Sequence, residues 1–289
     1  MTETKTDTRQ FPSAMVNITN RCTLRCEHCF VFRDSNPNDP KCEMDTPTML
    51  EKLKERKERH GLRSMLWMGG EPLLRPDVLA AGVMLFESNT ITTNGTLDLI
   101  DFPNTGYVVS IDGPPEVNDR IRGKGSFKKV INTLSRLPEA FANRVMCQCV
   151  VTKKNEDQLE ALIGYLRPLP VEGLTFSFYV PRKDDKSDLT WGSLKRRDKA
   201  VREVMRIKKE HPDFIRNHGR SLDLLMSEKA KTVTDNCPSK KLVLPLYLEG
   251  QNFVSPFCCY GNDVDCDLCG AWVVFHLAAN MERTQTNQV

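Results

Sequence analysis

The sequence predicts an α/β fold, a partial (β/α)6 TIM-like barrel of parallel strands with a small cysteine-rich C-terminal extension. Short apolar, β-branched runs alternate with stretches of helical period from residue 13 to residue 180. The glycine-rich and polar motifs of that region fall just after the apolar runs, where parallel α/β sheets place their ligands. Beyond it, five of the eleven cysteines crowd between Cys237 and Cys269.

Strands are expected at 15–19, 63–68, 89–92, 107–111, 144–151 and 174–180, and helices at 46–60, 77–87, 126–137 and 155–166. The third connection, 93–106, is too short for more than a turn of helix. Thr46 stands before Pro47 as an N-cap hydroxyl before a proline, and Ser126 and Asn155 offer caps to their own helices. Six such units with one crossover hand form an open or partial barrel.

From 182 to 220 the chain is strongly charged, which reads as a long basic helix with a solvated face. From residue 231 the composition turns to Cys, Pro and Gly with little helical period. The expected division is therefore a disordered tail at 1–12, a main domain at 13–230 and a separately stapled unit at 231–289.

Lys and Arg total 41 against 38 for Asp and Glu, a balance that gives no electrostatic reason to expect nucleic acid. No secretion signal opens the chain, and no stretch approaches the roughly 20 apolar residues of a membrane span. The expectation is a cytoplasmic protein, whose reduced thiols serve metal or redox chemistry rather than disulfides.

The chemistry begins at Cys22, Cys26 and Cys29, a C-x3-C-x2-C triplet after the first apolar run. Three thiolates leave one corner of a four-iron cluster open to an outside ligand. Taken alone, the triplet also fits a zinc site closed by His28 or Cys42. Gly69 and Gly70 remove side chains where backbone must approach a ligand, and Glu71 supplies a negative charge for an ammonium group. Ser110 and Asp112 alternate on one strand end and can accept from hydroxyls, while Arg122 offers a fork suited to a carboxylate. In isolation, Gly69-Gly70 also reads as a turn and Asp112-Gly113-Pro114 as a loop. Cys147 and Cys149 share one strand face and read as small packed hydrophobes.

Together these motifs resemble the radical S-adenosylmethionine (SAM) superfamily. The run Asn20–Phe30 is similar to its cluster loop, Gly69-Gly70-Glu71-Pro72 to its GGEP motif, and Thr92-Thr93-Asn94-Gly95 and Val109–Gly113 to its strand-end segments. The stretches 119–127 and 150–155 are similar to segments of its peptide-modifying and cofactor-building branches. The resemblance implies a [4Fe-4S] cluster on Cys22, Cys26 and Cys29, with SAM contacted by His28, Gly69, Gly70, Glu71, Asn94, Ser110, Asp112 and Arg122. It further implies reductive cleavage of SAM to a 5′-deoxyadenosyl radical that abstracts hydrogen from a substrate, with a reductant such as flavodoxin or ferredoxin as partner.

The C-terminal cysteines resemble the auxiliary-cluster extension of SPASM or twitch type, with too few thiols for two further clusters. One auxiliary [4Fe-4S] cluster on Cys237, Cys258, Cys266 and Cys269 is the reading, with Cys259 as the alternate for Cys258. A zinc staple or no metal are the other readings. A small molecule is the expected substrate and a peptide the alternative, because residues 1–12 are too short for a leader-binding domain. An iron-sulfur carrier or zinc-binding protein is a third reading, one that leaves Glu71, Asp112 and Arg122 without purpose.

Overall fold

The structure is a computed structural model that describes residues 8–41 and 43–286. Cys42 and the first seven residues of the expected tail lie outside the described residues. In chain order the elements are β1 (Ser13–Asn17), α1 (Thr46–His60), β2 (Ser64–Met68), α2 (Pro76–Gly82), β3 (Ser88–Thr93), β4 (Thr105–Ser110), α3 (Pro115–Arg122), α4 (Ser126–Ser135), β5 (Arg144–Val151), α5 (Leu159–Leu166), β6 (Gly173–Phe178), α6 (Leu194–Glu210), α7 (Gly219–Leu224), α8 (Ser227–Asp235), α9 (Ser239–Leu242), β7 (Val243–Glu249), β8 (Asn252–Val254) and α10 (Trp272–Thr286). The class is α/β with mostly parallel, unclosed sheet, as the sequence predicts. Among the described residues, no helix is long and apolar enough to cross a membrane.

The chain forms two compact units. The first comprises the chain up to Val109 with Lys128–Val145 and Lys240–Asn262; the second comprises Ser110–Phe127, Met146–Ser239 and Asp263 onward. This division differs from a boundary at 230, because part of the cysteine-rich region belongs to the first unit.

In the first unit the strands run β4-β3-β2-β1-β7-β8, all parallel except the β7–β8 pair. One face is sealed: Val16, Trp67, Ile91 and Val109 are fully buried, as are Met49 and Leu53 of α1 and Val78 and Leu79 of α2. A Cβ on Gly82 would stand 2.4 Å from the Trp67 ring, so α2 lies as close to the sheet as backbone permits. On the other face Leu66, Met68, Thr90, Thr92 and Val108 are only half-buried, and Met15, Tyr247 and Cys259 form a small cluster there with Phe30 and Tyr260 packed against it.

In the second unit β5 and β6 pair in parallel from Met146↔Gly173 to Val151↔Phe178. Cys147 and Cys149 are buried in this strand, and burial pushes the Cys147 thiol up to about 12, which fits the packing role expected of them.

Several local expectations are corrected. The cap of α1 is Asp45, which accepts from Thr48 N at 2.9 Å, with Thr46 and Pro47 already inside the helix. Asp119, not Ser126, accepts from Phe127 N at 2.8 Å and Gly125 N at 2.5 Å at the start of α4. Asn155 closes a turn by accepting from Thr152 N at 2.7 Å, and α5 begins later, at Leu159. The loop expected after Asp112 contains α3, opened by Pro115 with Ile121 buried on one side. The 77–87 helix stops at Gly82 and tightens into a 3-10 turn, Val83–Leu85.

The C-terminal region is more regular than its composition suggests. Leu244, Leu246 and Leu248 put β7 beside β1, although Pro245 argues against a central strand; β8 pairs only from Tyr247 onward, so the outer edge at Pro245 is open. The last described element, α10, is a 15-residue helix.

Asp119→Ala is expected to cost about 1–2 kcal/mol of unfolding free energy in a urea titration. Burial pushes this carboxyl up, but the Phe127 and Gly125 amides and the Ser126 hydroxyl outweigh it and hold the carboxyl below the usual carboxylate range. The gap between native and variant should therefore be fully present above about pH 4 and shrink as pH falls through the folded-state value.

Candidate functional site

The cysteine loop leaves the C-terminal end of β1 and is tied to the loop after β2. Gly70 N donates to Thr19 O and Glu71 N to Arg21 O, both at 2.8 Å. That closeness demands glycine: a Cβ on Gly70 would stand 2.1 Å from Arg21 O, and one on Gly69, whose φ is +152°, would stand 2.7 Å from Thr19 O. The root of the loop is gripped by Glu43, which accepts from Thr19 Oγ1 at 2.8 Å and Asn20 N at 3.2 Å and pairs with Arg75 at 3.3 Å. Asn20 Nδ2 donates to Leu248 O on β7 at 3.1 Å.

Within the loop, Cys22, Cys26 and Cys29 are half-buried, as is His28. Cys29 N donates to Cys26 O at 3.1 Å, closing a turn. Asn94 Nδ2 lies 3.6 Å from Cys22 Sγ and donates to Thr23 Oγ1 at 2.9 Å. Burial pushes the Cys22 thiol up, and the nearby Glu71 and Cys29 add to the effect.

Glu71 is fully buried. Its Oε1 accepts from Leu73 N at 3.1 Å and Thr93 Oγ1 at 2.8 Å, and its Oε2 accepts from Asn94 N at 2.8 Å. Burial pushes its pKa up against those three donors. Among the described residues no cation touches it, so the carboxylate is satisfied by hydrogen bonds while its charge is left uncancelled. Thr93 stands in the quoted Thr92–Gly95 segment but was not singled out as a site residue; its hydroxyl after an alternating strand was the available signal. Asn17 was missed too: on the face of Met15 and Met68 it is fully buried with both amide atoms unpaired.

Cys258 and Cys259 are buried in the same unit. The Phe30 and Tyr260 rings meet at 4.7 Å, Tyr247 Oη donates to Cys259 O at 3.0 Å, and Asn262 Nδ2 donates to Ser35 O at 3.1 Å. The stretch 258–262 is thus laid on the chain that follows Cys29.

In the second unit Ser110 is half-buried at the strand end, whereas Asp112 and Arg122 are buried and face each other, Oδ2 to Nε, at 2.6 Å. Asp112 Oδ1 also accepts from Val150 N at 2.8 Å, its N donates to Asn118 Oδ1 at 2.9 Å, and its carbonyl accepts from Asn155 Nδ2 at 2.8 Å. The two groups read from sequence as free for a ribose and a carboxylate are an ion pair that ties α3 to β5. Asn118 and Asn155, which complete that knot, were not singled out as site residues.

Of the remaining cysteines of this unit, Cys266 and Cys269 flank one turn. Cys266–Leu268 is a 3-10 turn in which Cys269 N donates to Cys266 O at 3.3 Å, and Lys231 of α8 pairs with Asp267 at 2.8 Å. Cys237 follows the end of α8, half-buried.

A family model described as the radical SAM superfamily matches residues 16–166, just over half of the chain. Molybdenum cofactor biosynthesis protein 1 of Bos taurus is 28% identical over 231 residues, covering 75% of this chain and 34% of the relative. Fe-coproporphyrin III synthase of Methanosarcina barkeri is 29% identical over 181 residues, covering 58% of this chain and 44% of the relative. The chain thus spans less than half the length of either. Among solved structures, native anSMEcpe with bound AdoMet superposes with a TM-score of 0.68 at 18% identity, covering 93% of this chain and 82% of that one. This last likeness is one of fold.

Glu71→Gln places an amide NH2 against backbone and hydroxyl donors, so it should cost about 1–3 kcal/mol of unfolding free energy, and Thr93→Val about 1 kcal/mol, both by denaturant titration. Equal stability of Glu71→Gln and the parent would show that the three donors do not need the carboxylate.

Proposed function

Because the chain belongs to the radical SAM superfamily, whose enzymes use a [4Fe-4S] cluster and SAM, we propose that it reductively cleaves SAM and uses the resulting radical to take hydrogen from a small-molecule substrate. Cys22, Cys26 and Cys29 would hold the cluster. The donor set fits: three half-buried thiols on one short loop, with the Asn94 amide directed at the Cys22 sulfur. Bound there, the cluster supplies one-electron reduction of SAM, and with it hydrogen-atom abstraction.

The observation that carries the reading is the uncancelled carboxylate of Glu71. A buried carboxyl that accepts three hydrogen bonds, faces no cation and has its pKa raised by burial suits a ligand with an ammonium and a sulfonium charge, which would favour its ionised form. Gly69 and Gly70 keep the loop backbone near it, free of side chains, so that peptide groups can contact the methionyl moiety. His28, beside the last cysteine, would flank the adenine, and Ser110 would accept from the ribose. Asp112 and Arg122 are assigned a positioning role instead, since each already holds the other.

For the C-terminal cysteines we propose one auxiliary [4Fe-4S] cluster on Cys237, Cys258, Cys266 and Cys269, with Cys259 as the alternate for Cys258. A small-molecule substrate is supported by the names of the two relatives described above, which concern molybdenum cofactor biosynthesis and an iron porphyrin. A one-electron reductant of flavodoxin or ferredoxin type would feed the reaction.

After anaerobic reconstitution with iron and sulfide, SAM and dithionite should yield 5′-deoxyadenosine, and Cys26→Ala should reduce the yield to that of a protein-free control. Adding the low-molecular-mass fraction of a cell extract should accelerate release, and protease treatment of that fraction should leave the acceleration intact. Loss of the acceleration on protease treatment would favour a peptide substrate; no 5′-deoxyadenosine from the parent would refute the reaction itself.

A further inference from the structure

The stretch 182–220 was expected to carry a solvated, charged helix, yet one of its cations is inside the protein. Arg197 of α6 is only 2% exposed. Its Nη1 donates to Cys269 O at 2.8 Å and Leu268 O at 3.3 Å, and its Nη2 donates to Leu225 O at 2.8 Å. The guanidinium carbon stands 5.9 Å from the centre of the Phe178 ring, and Nε is buried without a partner. Among the described residues no carboxylate lies within ion-pair distance of it. The adjacent Asp198 directs its carboxylate elsewhere, accepting from Ser227 N at 2.9 Å and Ser227 Oγ at 2.6 Å.

Three carbonyls and a ring face satisfy most of the donors of a guanidinium but do not cancel its charge. An isolated ion in a protein interior is strongly unfavourable unless an opposite charge is near, and an apolar side chain would fill the same space at less cost. The guanidinium sits on the peptide groups of the turn that carries Cys266 and Cys269, and the negative form of Cys269 and then the carboxylate of the adjacent Asp198 are the groups whose charge acts on it. The same turn is tied to α8, which leads to Cys237, by Lys231 and Asp267. Thiolates ligating an iron-sulfur core outweigh its positive charge and leave a net negative centre, a direct partner for a cation whose neighbouring carboxylate, Asp198, is turned to Ser227.

We propose that Arg197 is the counter-charge of an anionic metal–thiolate centre held by Cys266, Cys269 and Cys237, stabilising the loaded state and raising its reduction potential. The inference rests on the auxiliary-cluster reading given above and adds to it a positioning residue. A purely structural role, fastening the 266–269 turn through its carbonyls, makes a different forecast, because glutamine can also donate to carbonyls while carrying no charge.

The test uses the full chain with Cys22, Cys26 and Cys29 changed to alanine, so that the only iron measured is that of the C-terminal cysteines, reconstituted anaerobically with ferrous iron and sulfide. About four iron atoms per chain are expected in this parent and in R197K, which keeps the charge. R197Q should lose more than half of that iron, or keep it with a reduction potential shifted to more negative values. The metal-free R197Q chain should melt no lower than the metal-free parent, since it no longer buries an unpaired charge. R197Q with full iron and an unchanged potential overturns the role of Arg197 and leaves the cluster standing. Equal destabilisation of the metal-free chain by R197Q likewise assigns the residue to the turn. A parent that binds no iron overturns the cluster and Arg197's role together.

Discussion

The first unit is organised around one buried carboxylate. Glu71 takes a backbone amide from its own 3-10 turn, the hydroxyl that ends β3 and the amide of Asn94, so it fixes the loop after β2 to the end of β3. Its own amide then binds Arg21 O, which places the cysteine loop against the same point. Such close approach is possible because Gly69 and Gly70 have no Cβ to collide with that loop. Three donors favour the ionised group, but burial outweighs them and raises its pKa, so the site gains most from an incoming cation.

Buried charges in this protein fall into two kinds. Asp112 and Arg122 cancel each other at 2.6 Å, and the surrounding amides of Asn118 and Asn155 complete the knot. Among the described residues, Glu71 has its hydrogen bonds but no cation against it, and Arg197 forms no ion pair and leaves Nε unpartnered, each within its own unit and each beside cysteines. A satisfied pair fixes backbone; a charge that is hydrogen-bonded and unmatched marks a place where a ligand of opposite sign belongs. Arranged this way, the proposed SAM site and the proposed auxiliary centre use one physical device with opposite signs.

Much of the fold was legible because strand and helix periods are local. Helix α1 and strand β5 fall where the pattern put them, and the motifs gather at strand ends because glycine and polar residues cannot continue those strands. What escaped the sequence depended on partners far along the chain. Pro245 disguised β7, which is a strand because β1 stands beside it. Prolines after Asp112 suggested a loop where they in fact open α3. Asp112 and Arg122 were read from sequence as ligand contacts, and their mutual pairing follows from the turn of α3 that brings them together. The burial of Arg197 was hidden by the many exposed charges around it on α6.

The direct measurement is a calorimetric titration of the reconstituted protein with SAM and with an analogue in which the amino group is replaced by hydrogen. If the Glu71 carboxylate receives the ammonium, SAM should bind at least about tenfold more tightly than the analogue, a difference of about 1.4 kcal/mol. In Glu71→Gln most of that preference should vanish. Equal affinity of the unaltered protein for both compounds would contradict the assignment of Glu71.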